Sequence, residues 1–324
     1  MVYEKRFWRK AAAGAFRSDR HRNDDFAAYC FVGRCVLMTP LIAGILYVAL
    51  APFIGGLLAG LDRKISARMQ GRKGPPLLQP FYDVRKLFNK ESVVVNDIQN
   101  MLVIAFLVFI VFTGVLFFTG GDLLLVFFAL TLASIILVLT ASSANSPYSS
   151  MGAQRELMQM MAYEPMVLIV AIGFYMSTGS FSVQDATAAQ TPAVVSIPAV
   201  FIGFLYILTI KLRKSPFDLS TSHHAHQEMV KGITTELSGR ILGIEEIAHW
   251  YENVFLMGIV ALFFVNSNPI SYLVAAAVAL GAYFVEIIID NTFARVKWQV
   301  MLRSAWIVAL AAGILNLLVV NLMN

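Results

Sequence analysis

The chain has 324 residues, 58% of them hydrophobic and only 14% charged, with a net charge of +5 and a mean hydropathy of +0.70. That balance excludes an ordinary soluble domain, and the length holds about eight membrane spans of roughly 20 residues each with loops, leaving no soluble part large enough to fold alone. Its two cysteines, Cys30 and Cys35, are fewer thiolates than an iron–sulfur cluster needs and read as small buried residues, and no C-x-x-C-H, P-loop or G-x-G-x-x-G motif occurs.

Residues 1–35 form a polar, basic segment with Phe7, Trp8 and Phe16 interspersed, which reads as an interfacial helix or a solvated tail. The basic stretch is too long for a signal peptide, and no A-x-A site follows it. Residues 36–324 read as the membrane domain. Its first span runs over Val36–Leu61.

Asp62 to Gln99 is a large polar loop broken at Gly71, Gly74, Pro75, Pro76 and Pro80. Within it, Pro80 to Phe88 alternates apolar and charged residues at helical spacing, so a short amphipathic helix is expected on the membrane surface. Met101–Thr119 and Leu123–Ala144 are spans two and three, joined by the tight Gly120-Gly121-Asp122 turn. Span four covers Gly152–Met176 and span five Ile197–Ile210. A charged, His-rich insert follows from Lys211 to Glu252. Spans six, seven and eight are expected at Ala248–Asn266, Pro269–Ile289 and Arg303–Leu322.

Basic residues fall in loops one–two, five–six and seven–eight and are missing from loops two–three, four–five and six–seven. The positive-inside rule therefore puts the three charged loops in the cytoplasm and both termini outside. The basic N-terminal tail opposes this arrangement. A re-entrant turn at Pro40 or Pro52 would reverse it.

Ionisable groups within spans cost about 2.5–3.5 kcal/mol on insertion scales, so Glu156, Glu164, Glu252 and Glu286 need explaining. Glu156 is expected to pair with Arg155 or a loop arginine. Glu164 lies about two turns deeper, lacks a basic residue at i±3 or i±4, and precedes Pro165, which frees a backbone carbonyl. That setting suits a proton relay. Glu286 and Asp290 share a helix face, with Arg295 or Lys297 as expected partners, while Glu245 and Glu252 share another face beside His249. His223, His224 and His226 stand near Asp218 and Glu228, but no i, i+4 histidine pair of the H-E-x-x-H kind exists. They read as titratable docking or relay groups, or as a solvated loop, rather than as metal ligands.

Three stretches also carry a family likeness. GRKGPPLLQPFYDVRKLFNKE at Gly71 to Glu91, GAQRELMQMMAYEP at Gly152 to Pro165, and KSPFDLSTSHHAHQEMVKGITTELSG at Lys214 to Gly239 resemble the membrane subunit of respiratory complex I that lies under the quinone site. They resemble still more its counterpart in energy-converting, membrane-bound [NiFe] hydrogenases of the Ech, Mbh and formate hydrogenlyase type. In the complex I pattern PFDL is followed by a run of glutamates and a T-E-[YF]-S-G close. Pro216, Phe217, Asp218 and Leu219 match the start, and Thr235, Glu236, Ser238 and Gly239 match the close, but STSHHAHQE stands between them with Glu228 as its one carboxylate. That departure resembles the hydrogenase branch.

The resemblance implies an all-α polytopic subunit of the cytoplasmic membrane of a prokaryote, with no metal or cofactor of its own and no nucleic-acid partner. A NiFe centre and [4Fe-4S] clusters are expected in partner chains: a NiFe large subunit, an iron–sulfur small subunit and a ferredoxin-like subunit, with antiporter-like membrane subunits alongside in the lipid bilayer. Carried over by motif, Asp83, Glu164, Asp218, Glu228 and Glu236 are relay or coupling candidates, joined by Glu156, Glu252 and Glu286 from their place in the spans. Arg72 by motif, with Lys73, Arg85, Arg155, His223, His224 and His226, are candidates for subunit docking. A quinone- or methanophenazine-reducing dehydrogenase subunit of the same fold is the nearest alternative, and a stand-alone secondary transporter is one of another class.

Overall fold

The computed structural model describes residues 40–91, 93, 96–221 and 231–323. The basic N-terminal segment, both cysteines, the three clustered histidines and Glu228 lie outside the described residues.

The described chain is helical almost throughout. Its helices are α1 (Pro40–Met69), α2 (Gln79–Phe88), α3 (Asp97–Phe118), α4 (Leu123–Ser142), α5 (Pro147–Thr178), α6 (Val183–Ala188), α7 (Ala193–Ser196), α8 (Pro198–Lys211), α9 (Gly239–Leu262), α10 (Pro269–Thr292) and α11 (Trp298–Met323). Six of them (α1, α3, α4, α5, α10 and α11) are long and apolar enough to cross a membrane. The other two expected spans are α8, with 14 residues, and α9, with 24. The first is short, and the first half of the second is charged, which sets both apart from the six.

Local chemistry fixes the ends. Asn96 accepts from the Ile98 amide at 3.1 Å, Asp122 from Leu124 at 2.8 Å and Asn268 from Ile270 at 3.2 Å, each satisfying a donor left free at a helix start. Pro147, Pro198 and Pro269 open their helices where no intrahelical amide bond is lost. Gly179 closes α5 at φ 75°.

α4 and α5 are the interior of the bundle, with more than half of their apolar stretches buried, while α1, α3, α10 and α11 leave about two-thirds open toward lipid. α3 lies between α4 and α9, and α5 between α4, α8 and α11. α1 packs on α3 and α9: Tyr47 fills the notch at Gly114 and donates to the Tyr251 carbonyl at 3.1 Å.

Several expected boundaries move. Span six begins at Gly239 rather than Ala248, because its charged first half finds partners inside the protein and stays helical. Span four begins at Pro147 and span eight at Trp298. α1 runs unbroken through Pro52, so no re-entrant turn reverses the topology there. The expected amphipathic helix forms as α2, with Phe81 set against Gly56 of α1 and Trp250 of α9.

The two ends of the bundle differ in character. At one end the Gly120–Asp122 turn pairs with residues 181–183, Leu123 donating to the Phe181 carbonyl at 2.8 Å and Val183 to Gly121 at 2.9 Å. The other end gathers the C-terminus of α1, α2, the loop after α8, the start of α9 and the end of α10. The charge is concentrated there.

Candidate functional site

The segment after α8 folds back into the bundle instead of leaving it. Lys214 to Ser220 are all buried. Pro216 and Phe217 are held by their backbones, the first accepting from the Val296 amide at 3.0 Å and the second from the Gln159 side chain. Asp290 accepts from the Ser215 amide at 2.8 Å. Arg155 and Arg295 each reach the Leu219 carbonyl at 3.4 Å, and Arg295 also lies 3.6 Å from Asp218.

This inward fold carries three cations with it. Lys211 meets Glu252 of α9 at 2.8 Å, Arg213 meets Glu156 of α5 at 2.7 Å, and Lys214 meets Asp62 of α1 at 2.7 Å. Arg213 adopts φ 52°, a left-handed conformation uncommon outside glycine. It lets neighbouring cations reach different helices. Burial disfavours the Arg213 charge, but the Glu156 carboxylate offsets that penalty and holds the guanidinium above its ordinary pKa.

His249 sits at the centre of the arrangement. Its Nε2 lies 2.7 Å from Glu245 and its Nδ1 3.0 Å from Glu252, while the Arg213 guanidinium approaches both ring nitrogens, at 2.8 and 3.2 Å. Beneath it, Lys211 donates to Ser134 of α4 at 2.8 Å and Tyr163 of α5 at 3.3 Å. Among the described residues, no group of three or more His, Cys, Asp or Glu could hold a metal ion.

A cavity of about 480 Å³ opens onto this network. Asp62, Arg63 and Ser66 of α1, Lys211 to Lys214, Glu245, Glu246, His249 and Glu252 of α9, and Tyr283 and Asp290 of α10 line it. So dense a charged lining suits water and protons better than an apolar ligand.

The residues singled out from sequence fall into distinct places. Glu156 and Glu252 belong to the network, and Asp218 to the plug beside it. Glu286 is buried on α10 with Thr209 as a hydrogen-bond partner. Its expected pairing, and that of Asp290, with Arg295 or Lys297 is corrected: Arg295 turns to Asp218, and Asp290 caps the Ser215 amide. Glu164 is half-buried on α5, with no hydrogen bond or ion pair among the described residues. Asp83 takes Arg63 at 2.7 Å and Gln79 at 2.8 Å at the membrane surface, which ties α1 to α2. Glu236 lies half-buried in the turn before α9, outside the cavity. Arg72, Lys73 and Arg85 are exposed on the same end. His223, His224, His226 and Glu228 fall outside the described residues.

Sequence reasoning missed Lys211, Arg213 and Lys214 as site residues, counting them as loop charges that mark the cytoplasmic side. The signal available was their spacing directly before PFDL, within reach of several span carboxylates. Ser134 and Tyr163 carried none.

A family model described as NADH dehydrogenase matches residues 42–321. The chain is 30% identical to an NADH-quinone oxidoreductase membrane subunit of Anoxybacillus flavithermus, over 87% of this chain and 92% of that protein. It is 27% identical to hydrogenase-4 component C of Escherichia coli K12, over 78% and 87% of the two chains. To formate hydrogenlyase subunit 4 of the same organism it is again 27% identical, over 83% and 94%. In fold it is similar to a chain of the membrane-bound sulfane sulfur reductase, an archaeal respiratory membrane complex, with a TM-score of 0.76 and 23% identity, over 86% of this chain and 99% of that one.

Proposed function

The chain belongs to the NADH dehydrogenase family of membrane subunits, and from that premise we propose that it is the membrane subunit of a multi-subunit energy-converting [NiFe] hydrogenase. In this reading it anchors the hydrogenase module on its charged end and couples ferredoxin-linked hydrogen chemistry to proton or sodium movement. The NiFe centre and [4Fe-4S] clusters belong to the partner subunits.

The observation that carries the coupling is the paired network itself, in which Glu252, Glu156 and His249 reach from an open cavity into the spans. Redox chemistry in a partner above this face changes the charge that the network feels. Carboxylates held by single ion pairs respond by gaining or losing protons, and the exchange feeds antiporter-like neighbours. The hydrogenase branch is supported by STSHHAHQE after PFDL and by the likeness to hydrogenase-4 component C and formate hydrogenlyase subunit 4.

A quinone-reducing complex is the second reading, favoured by the likeness to the NADH-quinone oxidoreductase membrane subunit. The charged lining of the cavity opposes it, because an isoprenoid tail would have to displace ion pairs.

Purification of the native complex through a tag on this chain tests the proposal. Nickel, iron and hydrogen evolution from a reduced ferredoxin are expected together. A nickel-free complex that reduces a quinone would replace this reading with the second.

A further inference from the structure

Lys211 is the one described residue that lines both the charged cavity and a second, small void deeper in the bundle, walled by Phe127, Leu130, Tyr163 and Phe204. Its ammonium hydrogen-bonds Ser134 Oγ at 2.8 Å and Tyr163 Oη at 3.3 Å. Glu252 Oε1 also lies 2.8 Å away, but as an ion-pair partner that receives no aligned hydrogen bond. The two hydroxyls are already linked, Tyr163 donating to Ser134 at 3.2 Å and Ser134 to the Leu130 carbonyl at 3.1 Å. The ammonium thus stands between a charged seat on α9, facing the cavity, and a neutral seat on α4 and α5, facing the void.

Packing alone does not account for a lysine in this position. Its side chain is only 5% exposed, and exchanging a buried ion pair for apolar groups of similar volume is often neutral or stabilising. The adjoining void has apolar walls that a leucine or methionine would suit. What lysine adds is a compact charge on an unbranched, flexible stem.

We propose that Lys211 is the movable counter-charge of the coupling site. When Glu252 takes up a proton from the cavity, the ammonium loses its Coulomb partner and settles on the Ser134 and Tyr163 hydroxyls. When Glu252 releases the proton, the ammonium returns. The amine keeps its own protons throughout, and the only proton exchanged is between Glu252 Oε1 and the cavity. The other charged or titratable groups facing this pair are His249 and Glu245 on α9, Arg213 in the loop, and Glu156 on α5. The movement depends only on the difference in ammonium affinity between the two seats, as any two-state shift must. This inference rests on the ion-coupling reading and supplies the step by which charge in the cavity acts on α4 and α5.

The whole complex in sealed vesicles tests it, with ions moved, read by a pH-sensitive dye and by radioactive sodium, divided by hydrogen formed. Lys211→Gln is expected to lower that ratio to the level of leak. The double variant Lys211→Gln/Glu252→Gln, a neutral hydrogen-bonded pair of similar shape, should stay at leak as well, and it carries the test if the single variant fails to assemble. Tyr163→Phe, which removes part of the neutral seat and no charge, should also lower the ratio. A wild-type ratio in the double variant or in Tyr163→Phe would make Lys211 a structural residue and overturn the inference while leaving the coupling reading intact. A wild type that moves no ions would overturn both.

Discussion

Glu156 and Arg213 meet in a site nearly closed to water, so each charge depends on the other. Glu156→Ala leaves the guanidinium buried without its partner, at an expected cost of about 3–5 kcal/mol. Recovery of assembled complex should fall sharply, and Arg213→Met in the same chain should restore much of it. Recovery that is equal with and without the second change would mean that water reaches Arg213. Glu164 is the contrasting case, a carboxyl within a span and without a partner among the described residues. Glu164→Gln keeps its shape and removes titration, so ions moved per hydrogen formed should fall in vesicles; an unchanged ratio would assign it a fixed hydrogen bond to a neighbouring helix. A loop arginine was one of two partners that the sequence offered for Glu156. The roles of Lys211 and Lys214 were not legible, because a pattern of charges after an apolar run looks the same whether the chain leaves the membrane or turns back into it.

At the scale of elements, α5 keeps its course through Pro165 with help from outside. The Met161 carbonyl, which a proline four residues later cannot bond, accepts from the Trp306 indole of α11 at 3.1 Å. Trp306→Phe leaves that carbonyl unsatisfied in an apolar setting and should cost about 1–3 kcal/mol. Pro165→Ala supplies an amide to the same carbonyl, so the loss from Trp306→Phe should shrink in that background. Thermal melting of the purified complex gives the cycle, and equal losses in the two backgrounds would discount the bond. Element identity was largely legible: the apolar runs gave the long spans, and the helical spacing of Pro80 to Phe88 gave α2. The start of α9 was not, since Glu245, Glu246 and His249 look like loop until the cations that meet them are in place. α6 and α7 left no periodic signal, being only 6 and 4 residues long.

For the molecule as a whole, the unequal ends set its orientation. The charged end, with the cavity and the exposed basic residues of α2, faces the cytoplasm by the positive-inside rule. Cysteine placed at the exposed Thr292 should resist an impermeant reagent added to intact cells, whereas cysteine at the exposed Gln184 should react. The reverse pattern would invert the topology and with it the side on which partners dock. The family was legible from three motifs, each of which the structure puts to use: α2, the Glu156 face of α5 and the buried PFDL plug. Which redox partner sits above them is written in chains other than this one. The most direct test of the central claim is ion uptake during hydrogen formation by the intact complex in sealed vesicles, compared between wild type and Glu252→Gln. Wild type is expected to accumulate protons or sodium in proportion to hydrogen, and Glu252→Gln to form hydrogen with far less uptake. Uptake per hydrogen that is equal in the two would contradict ion coupling through this site.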